Sequence, residues 1–186
     1  LGLGGGVLAI DRSDVVTQSV PALAINAGDS TVSIKAADTF AFGAITKNPG
    51  GVLALPAVGT FTTTSVNSNG ILGRGIVVGG TSWGSVVSGS TIGALPEASY
   101  TLTSVTGTTA ASYANTNVDV NSSLALSGSS AANSLRFSTS GANTLTLAGA
   151  STLGSGGILV TAGVGANATT ITGGQLAGTS GGDLVV

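Results

Sequence analysis

Cysteine, histidine and methionine are absent from the 186 residues, and the first two absences remove whole classes of chemistry. Without cysteine there is no disulfide framework, thiolate metal site or thiol nucleophile. Without histidine the Ser–His and Cys–His pairings of nucleophilic catalysis are unavailable. A metal would have only carboxylates and carbonyls, the ligands of a hard cation. Charge is scarce as well, at 6% of residues against roughly 25% in an ordinary globular domain. The five basic residues, Arg12, Lys35, Lys47, Arg74 and Arg136, are scattered singly. They form no patch that could neutralise phosphates, which argues against a nucleic-acid partner. No apolar run reaches the roughly 18 residues of a membrane helix. One Trp, two Tyr and four Phe are too few for the two aromatic girdles of an outer-membrane barrel.

What remains is small, β-branched and apolar. There are 31 glycines and 49 serines plus threonines, while Leu, Ile, Val and Phe make 50 residues. That last group is about 27% of the chain, above the roughly 20% below which disorder is favoured. Net charge is −2 and mean hydropathy +0.53, so the chain has both the means and the need to bury itself. Good helix formers other than Ala and Leu are nearly missing, and propensity leans to strands.

Short alternating segments bounded by Gly, Asn or Ser run along the sequence. In the second half they are Ser123–Leu126, Ser134–Phe137, Thr144–Leu147, Gly157–Val160, Thr170–Thr172 and Asp183–Val186. In the first half strands are expected at Val7–Ile10, Thr31–Ile34, Thr39–Phe42, Val52–Leu55 and Thr60–Thr62. A capped helical turn is expected at Val15–Gln18, after the polar break Asp11-Arg12-Ser13-Asp14. Pro21, Pro49, Pro56 and Pro96 are assigned to strand ends, where a missing N–H is tolerated. Strands this short, with turns of Gly, Asn, Ser and Thr, suit the narrow coils of a β-helix better than a β-sandwich, which stays as the alternative. No linker composition interrupts the chain, so a single all-β solenoid domain over 1–186 is expected. Neither end reads as finished, and a segment of a longer chain is inferred.

The stretch Asn69-Gly-Ile-Leu-Gly-Arg-Gly-Ile-Val-Val-Gly-Gly-Thr-Ser-Trp83 resembles one found in bacterial proteins with autotransporter-associated β-strand repeats. Asn133-Ser-Leu-Arg-Phe137, Ser155–Thr161, Thr170–Gly174, Gly181–Val186 and the early Gly6–Asp14 resemble further stretches of that family, in its order. Ser82 stands where an acidic residue commonly precedes the Trp, and Arg74-Gly75-Ile76 also departs. The resemblance implies a long exported surface protein, often planctomycete-type, whose passenger forms a right-handed parallel β-helix. It carries no catalytic residues to this chain.

Tested for chemistry, the motifs are thin. A Ser–Lys dyad would have to use Lys35 or Lys47, each in a strand–turn context. The acids are Asp11, Asp14, Asp29, Asp38, Glu97, Asp119 and Asp183, and a polysaccharide-cleaving site would need two of them in one groove. Gly181-Gly182-Asp183 occurs once, without the tandem repeat of a calcium-binding β-helix. The Gly-rich start, Gly2–Gly6, lacks the GK[ST] ending and the helix of a phosphate loop. Asn121 and Asn167 match the glycosylation pattern, which arises readily in such a composition. Trp83, Tyr100 and Tyr113 are the candidate ligand-facing aromatics of a sugar platform. The expectation is therefore a non-enzymatic structural segment at the cell surface or outside the cell, with no catalytic, cofactor or metal site. Its partners would be further coils or copies of itself; the alternative is an adhesin or surface-polysaccharide-binding module.

Overall fold

The computed structural model describes residues 1–179 and 183–186. It is a β-solenoid of stacked, mostly parallel coils, divided into two compact units, Leu1–Leu95 and Pro96–Val186. The Gly181-Gly182 part of the last motif lies outside the described residues.

In the first unit the strands are β1 (Gly2–Leu3), β2 (Gly6–Ala9), β3 (Thr17–Ile25), β4 (Gly28–Ser33), β5 (Thr39–Lys47), β6 (Gly51–Leu55), β7 (Thr60–Thr62), β8 (Ile76–Val78), β9 (Ser82–Ser88) and β10 (Thr91–Ala94). Two parallel ladders result, β1-β3-β5-β7 and β2-β4-β6-β8. Thr17 pairs with Thr39 and Thr39 with Thr60, a step of about 22 residues per coil. Such registers put like positions above one another, so inward columns form from side chains one coil apart. Phe40 lies in register with Phe61. The Phe42 ring centroid is 4.7 Å from that of Phe40 and 6.0 Å from that of Phe61. Leu23, Ile25, Val32, Leu53, Leu55 and Ile76 fill the same core.

Strands are longer than their sequence signals because two of them turn a corner. In β5 the buried positions are Phe40 and Phe42 and then Ile45, so the inward parity changes at Gly43-Ala44. The neighbouring corner in β3 carries Pro21, which is thus inside a strand rather than at an end; Pro49, Pro56 and Pro96 do lie beyond strand ends. A Cβ on Gly43 would lie 1.8 Å from the Pro21 carbonyl oxygen, so glycine is what lets the two corners stack. The helical turn expected at Val15–Gln18 does not form. Thr17 and Gln18 enter β3 instead, paired with Thr39 and Phe40, because ladder bonds to the next coil outweigh a single capped turn.

The parallel pattern gives way to antiparallel pairing towards the end of this unit. The segment read as the family-like Gly-Gly-Thr-Ser-Trp stretch folds back as an antiparallel hairpin, β8–β9, through Gly79 and Gly80, both with positive φ. β10 then pairs antiparallel with β9 and with β7. This pair joins the two ladders, and leaves β1 and β2 as the edges of the ten-stranded sheet.

The second unit has β11 (Tyr100–Leu102), β12 (Asn117–Asp119), β13 (Leu124–Ala125), β14 (Ala131–Phe137), β15 (Thr144–Val160) and β16 (Thr170–Gly178). All its named pairings are parallel. β15 absorbs two separate sequence signals, Thr144–Leu147 and Gly157–Val160, because it runs around coil corners with register shifts against β14 and β16. Its core includes Val118, Val120, Leu124, Leu135, Phe137, Leu145 and Leu153. Asp183–Val186 is not a strand; it contributes one bridge, Gly157 with Val185.

Close coil stacking makes a sharp prediction. Gly43→Ala should cost about 1–3 kcal/mol through forced overpacking, whereas Gly107→Ala, with nothing within 4 Å of the added Cβ, should stay within about 0.5 kcal/mol. Denaturant unfolding followed by circular dichroism measures both; equal effects would refute the steric argument.

Candidate functional site

Chemistry-bearing side chains converge most densely at the start of the second unit. β11, β12 and β14 stack so that Leu102, Asp119 and Arg136 fall in one column, and Tyr100, Asn117 and Ser134 in another. These two columns share one face of the ladder, because strand residues two apart point the same way. Val118, Leu135 and Phe137, between and beside them, fill the core on the opposite face.

Arg136 is the centre of the cluster and is 2% exposed. Its Nη1 donates to Glu97 Oε1 at 2.8 Å and its Nη2 to Glu97 Oε2 at 2.5 Å, a two-pronged pair. Nη2 also donates to Asp119 Oδ2 at 2.7 Å. The guanidinium carbon sits 3.5 Å from the centroid of the Tyr100 ring, a cation–π contact. Ser138 Oγ donates to Asp119 at 3.0 and 2.7 Å. Alongside, Asn117 Oδ1 accepts from Asn133 Nδ2 at 2.7 Å and from Ser134 Oγ at 2.8 Å. Burial alone would lower the pKa of Arg136, but the bonds it donates to Glu97 and Asp119 outweigh that and hold the guanidinium more firmly protonated than usual. Pairing with Arg136 likewise holds the Glu97 carboxyl below its ordinary value, against a smaller opposing effect of burial.

Two of the seven acids are thus brought together, which the sequence did not suggest. They share one guanidinium, which holds Glu97 below its ordinary value, the reverse of the raised general acid that glycoside hydrolysis uses. The other acids sit apart. Asp11 pairs with Lys35 Nζ at 2.8 Å in solvent, and that bond lowers its pKa. Asp14 and Asp29 are exposed. Asp38 is buried and accepts from the backbone N–H of Val16 at 3.0 Å and of Lys35 at 3.3 Å, tying a turn to the preceding coil. Asp183 is half-buried near the chain end.

The lysines weighed for a dyad are both engaged with backbone. Lys35 Nζ donates to the Arg12 carbonyl and Lys47 Nζ to the Leu72 carbonyl. Burial, and then the nearby charge of Arg74, lowers the Lys47 pKa. Asn121 is held by Thr103 and Ser104. Asn167 is exposed and donates to the Val164 carbonyl at 2.7 Å.

The expectation of ligand-facing aromatics is corrected. Trp83, Tyr100 and Tyr113 are 1%, 6% and 2% exposed. Tyr100 spends its face on Arg136, and Tyr113 lines the second core while its hydroxyl donates to the carbonyls of Thr106 and Gly107 at 2.9 and 3.0 Å. Burial raises the Tyr113 pKa. Small flanking residues left these rings as the largest apolar surfaces available, so folding claimed them. A void of about 20 Å³ lies among Tyr113, Leu126, Leu135, Leu147, Leu153 and Leu176. It is lined mainly by apolar side chains and has room for about one water, too little for an organic ligand. No group of three or more metal-ligating side chains occurs among the described residues, nor any helix long and apolar enough to cross a membrane.

No family model, curated protein or solved structure matches the chain.

The ion cluster sets two expectations for stability. Arg136→Met should cost about 3–5 kcal/mol, because it leaves Asp119 buried without its cation, while Glu97→Gln, at an exposed carboxylate, should cost about 1 kcal/mol or less. Glu97 has a folded-state pKa below its unfolded one, so its contribution is complete at neutral pH. It is lost as pH falls through the usual carboxylate range and past the lowered value. Unfolding midpoints against pH should therefore show an acid loss that is smaller in Glu97→Gln; identical profiles would contradict the pairing.

Proposed function

We propose that this chain is a non-catalytic structural segment of an exported bacterial surface protein, an extended scaffold held by coil stacking. The observation that carries this reading is where the buried polar groups go. Arg136 ties Asp119 on the adjacent coil to Glu97 ahead of β11, and Asp38 ties a turn to the coil before it. Asn133 and Ser134 bond back to Asn117, and Ser155 Oγ to the Asn133 carbonyl, 22 residues away. Each of these bonds joins one level of the stack to another. A side chain used in this way is held in a fixed, desolvated geometry, which suits mechanical continuity better than turnover.

Export and surface location are supported by the family-like stretches and by the low-charge, Ser/Thr-rich composition. The adhesin alternative loses its aromatic platform with the burial of all three rings. The fold itself does not argue against an enzyme; the sharing of Glu97 and Asp119 by one arginine does.

Two measurements test the reading. Antibody raised against the chain should label intact cells of the source organism and recover the antigen in a surface or extracellular fraction. The purified chain should release no reducing ends from a panel of polysaccharides. Confinement to the cytosol, or sugar cleavage abolished by Asp119→Asn, would overturn it.

A further inference from the structure

The outward side of one ladder in the first unit carries a regular grid of hydroxyls. Thr17, Thr39 and Thr60 lie in register on β3, β5 and β7. Two residues on, Ser19, Ala41 and Thr62 form a second column, which Thr91 of β10 extends by pairing with Thr62. Phe40, Phe61 and Ile92, between the columns, point into the core, so both columns face out. None of these outward residues is charged, and each is exposed or half-buried. Their hydroxyls bond no other protein group among the described residues, whereas those of Thr63 and Thr103 are bonded to carbonyls of other coils.

The grid has fixed spacings. Members of one column, on neighbouring strands, lie roughly 4.8 Å apart, and residues two apart along a strand about 6.6 Å apart. The rings of Phe40, Phe42 and Phe61 pack together beneath it, and side-chain ladders of this kind hold a sheet flat against its natural twist. Oxygen atoms on a prism face of ice repeat at nearly these two distances. Beside the first column the same coil step places Val15, Ala37 and Val58, each two residues earlier and each exposed. Val15 is 72% and Val58 49% exposed, so the grid is flanked by an apolar strip left in water, the kind of surface that marks contact with a partner.

We propose that this face binds ice, with the hydroxyls of Thr17, Ser19, Thr39, Thr60, Thr62 and Thr91 holding water in lattice positions. Face and lattice match in charge as well as in spacing. Both are neutral, and both present hydrogen-bond donors and acceptors on a grid. A charged side chain would keep its own hydration shell against the lattice, and the grid has none. Threonine offers a hydroxyl to bond water and a methyl to exclude it. Its branched Cβ restricts the side chain beforehand, so little freedom is lost on contact. The grid lies on the flank of the stack, where further coils do not cover it. It does not rest on the scaffold reading, since a chain with this face would bind ice wherever it resides.

Ice itself is the probe. The purified full chain should shape single ice crystals into facets, hold their growth below the melting point, and slow recrystallisation in frozen sucrose solution. Thr39→Tyr puts a ring in the middle of the grid and should lose these effects. Thr60→Tyr, at an exposed position, should lose them too, and keeps the test decisive if the first variant folds poorly. Ser33→Tyr, exposed on the outward side of β4, should keep wild-type activity. Circular dichroism melts establish that each variant is folded. Three results would each overturn the proposal: wild-type protein that leaves ice growth unchanged, a folded Tyr variant of the grid with full activity, or loss of activity in folded Ser33→Tyr. Retention on a crystalline polysaccharide with no effect on ice would overturn it equally. Surface labelling of cells would still stand in those cases, so the scaffold reading fails only by its own test.

Discussion

Parallel stacking of one coil directly upon the next is the constraint from which the rest of this structure follows. Each ladder strand directs its backbone donors and acceptors along the stack, so the polar main chain is satisfied by neighbours about 4.8 Å above and below. Residues one coil apart then share an environment. An apolar position at one level requires an apolar position at the next, as Phe40 and Phe61 show. A polar position that is buried requires a partner one level away, as Asp119 and Arg136 show.

Glycine is the second consequence. Corners of successive coils approach more closely than strands do, and side chains there would collide with backbone. Gly43 against Pro21, Gly75 against Gly51 and Gly173 against Leu147 are such approaches, with added Cβ atoms 1.8, 2.4 and 2.2 Å from carbonyl oxygens. The high glycine content is therefore compatible with an ordered fold. It marks places where backbone packs on backbone, while Ser and Thr populate many of the remaining outward positions.

The ion cluster follows the same logic in a costlier form. Desolvating a guanidinium and a carboxylate is unfavourable, and attraction between them offsets this only with good geometry and further hydrogen bonds. Arg136 has these: a two-pronged bond to Glu97, a bond to Asp119, the Tyr100 ring, and Ser138 behind Asp119. Such a set specifies one register among β11, β12 and β14. A slip of one residue would turn Arg136 into the core and Leu135 out of it.

The all-β class, the preference for a solenoid over a sandwich, and the absence of histidine- or cysteine-based chemistry were legible in the sequence, since they depend on composition and on period-two patterning. Five of the ten first-unit strands, β2, β4, β5, β6 and β7, and β13 to β16 in the second unit were legible for the same reason. By contrast, β1, β3, β8 to β10, β11 and β12 were not marked as strands. Patterning could not show that β3, β5 and β15 continue around corners, because inward parity changes at Pro21, at Gly43 and within Thr144–Val160 only once neighbouring coils are stacked. Nor could it show that the Gly79-Gly80 stretch turns back antiparallel, since a hairpin and a coil corner use the same glycines. The meeting of Glu97, Asp119 and Arg136 was decided entirely by tertiary structure. Their spacing along the chain carries no signal, and only the register of three coils places them on one face, where burial forces the charges to pair. The sequence by itself determined that this chain would stack strands; the folded coils decided which residues lie over which.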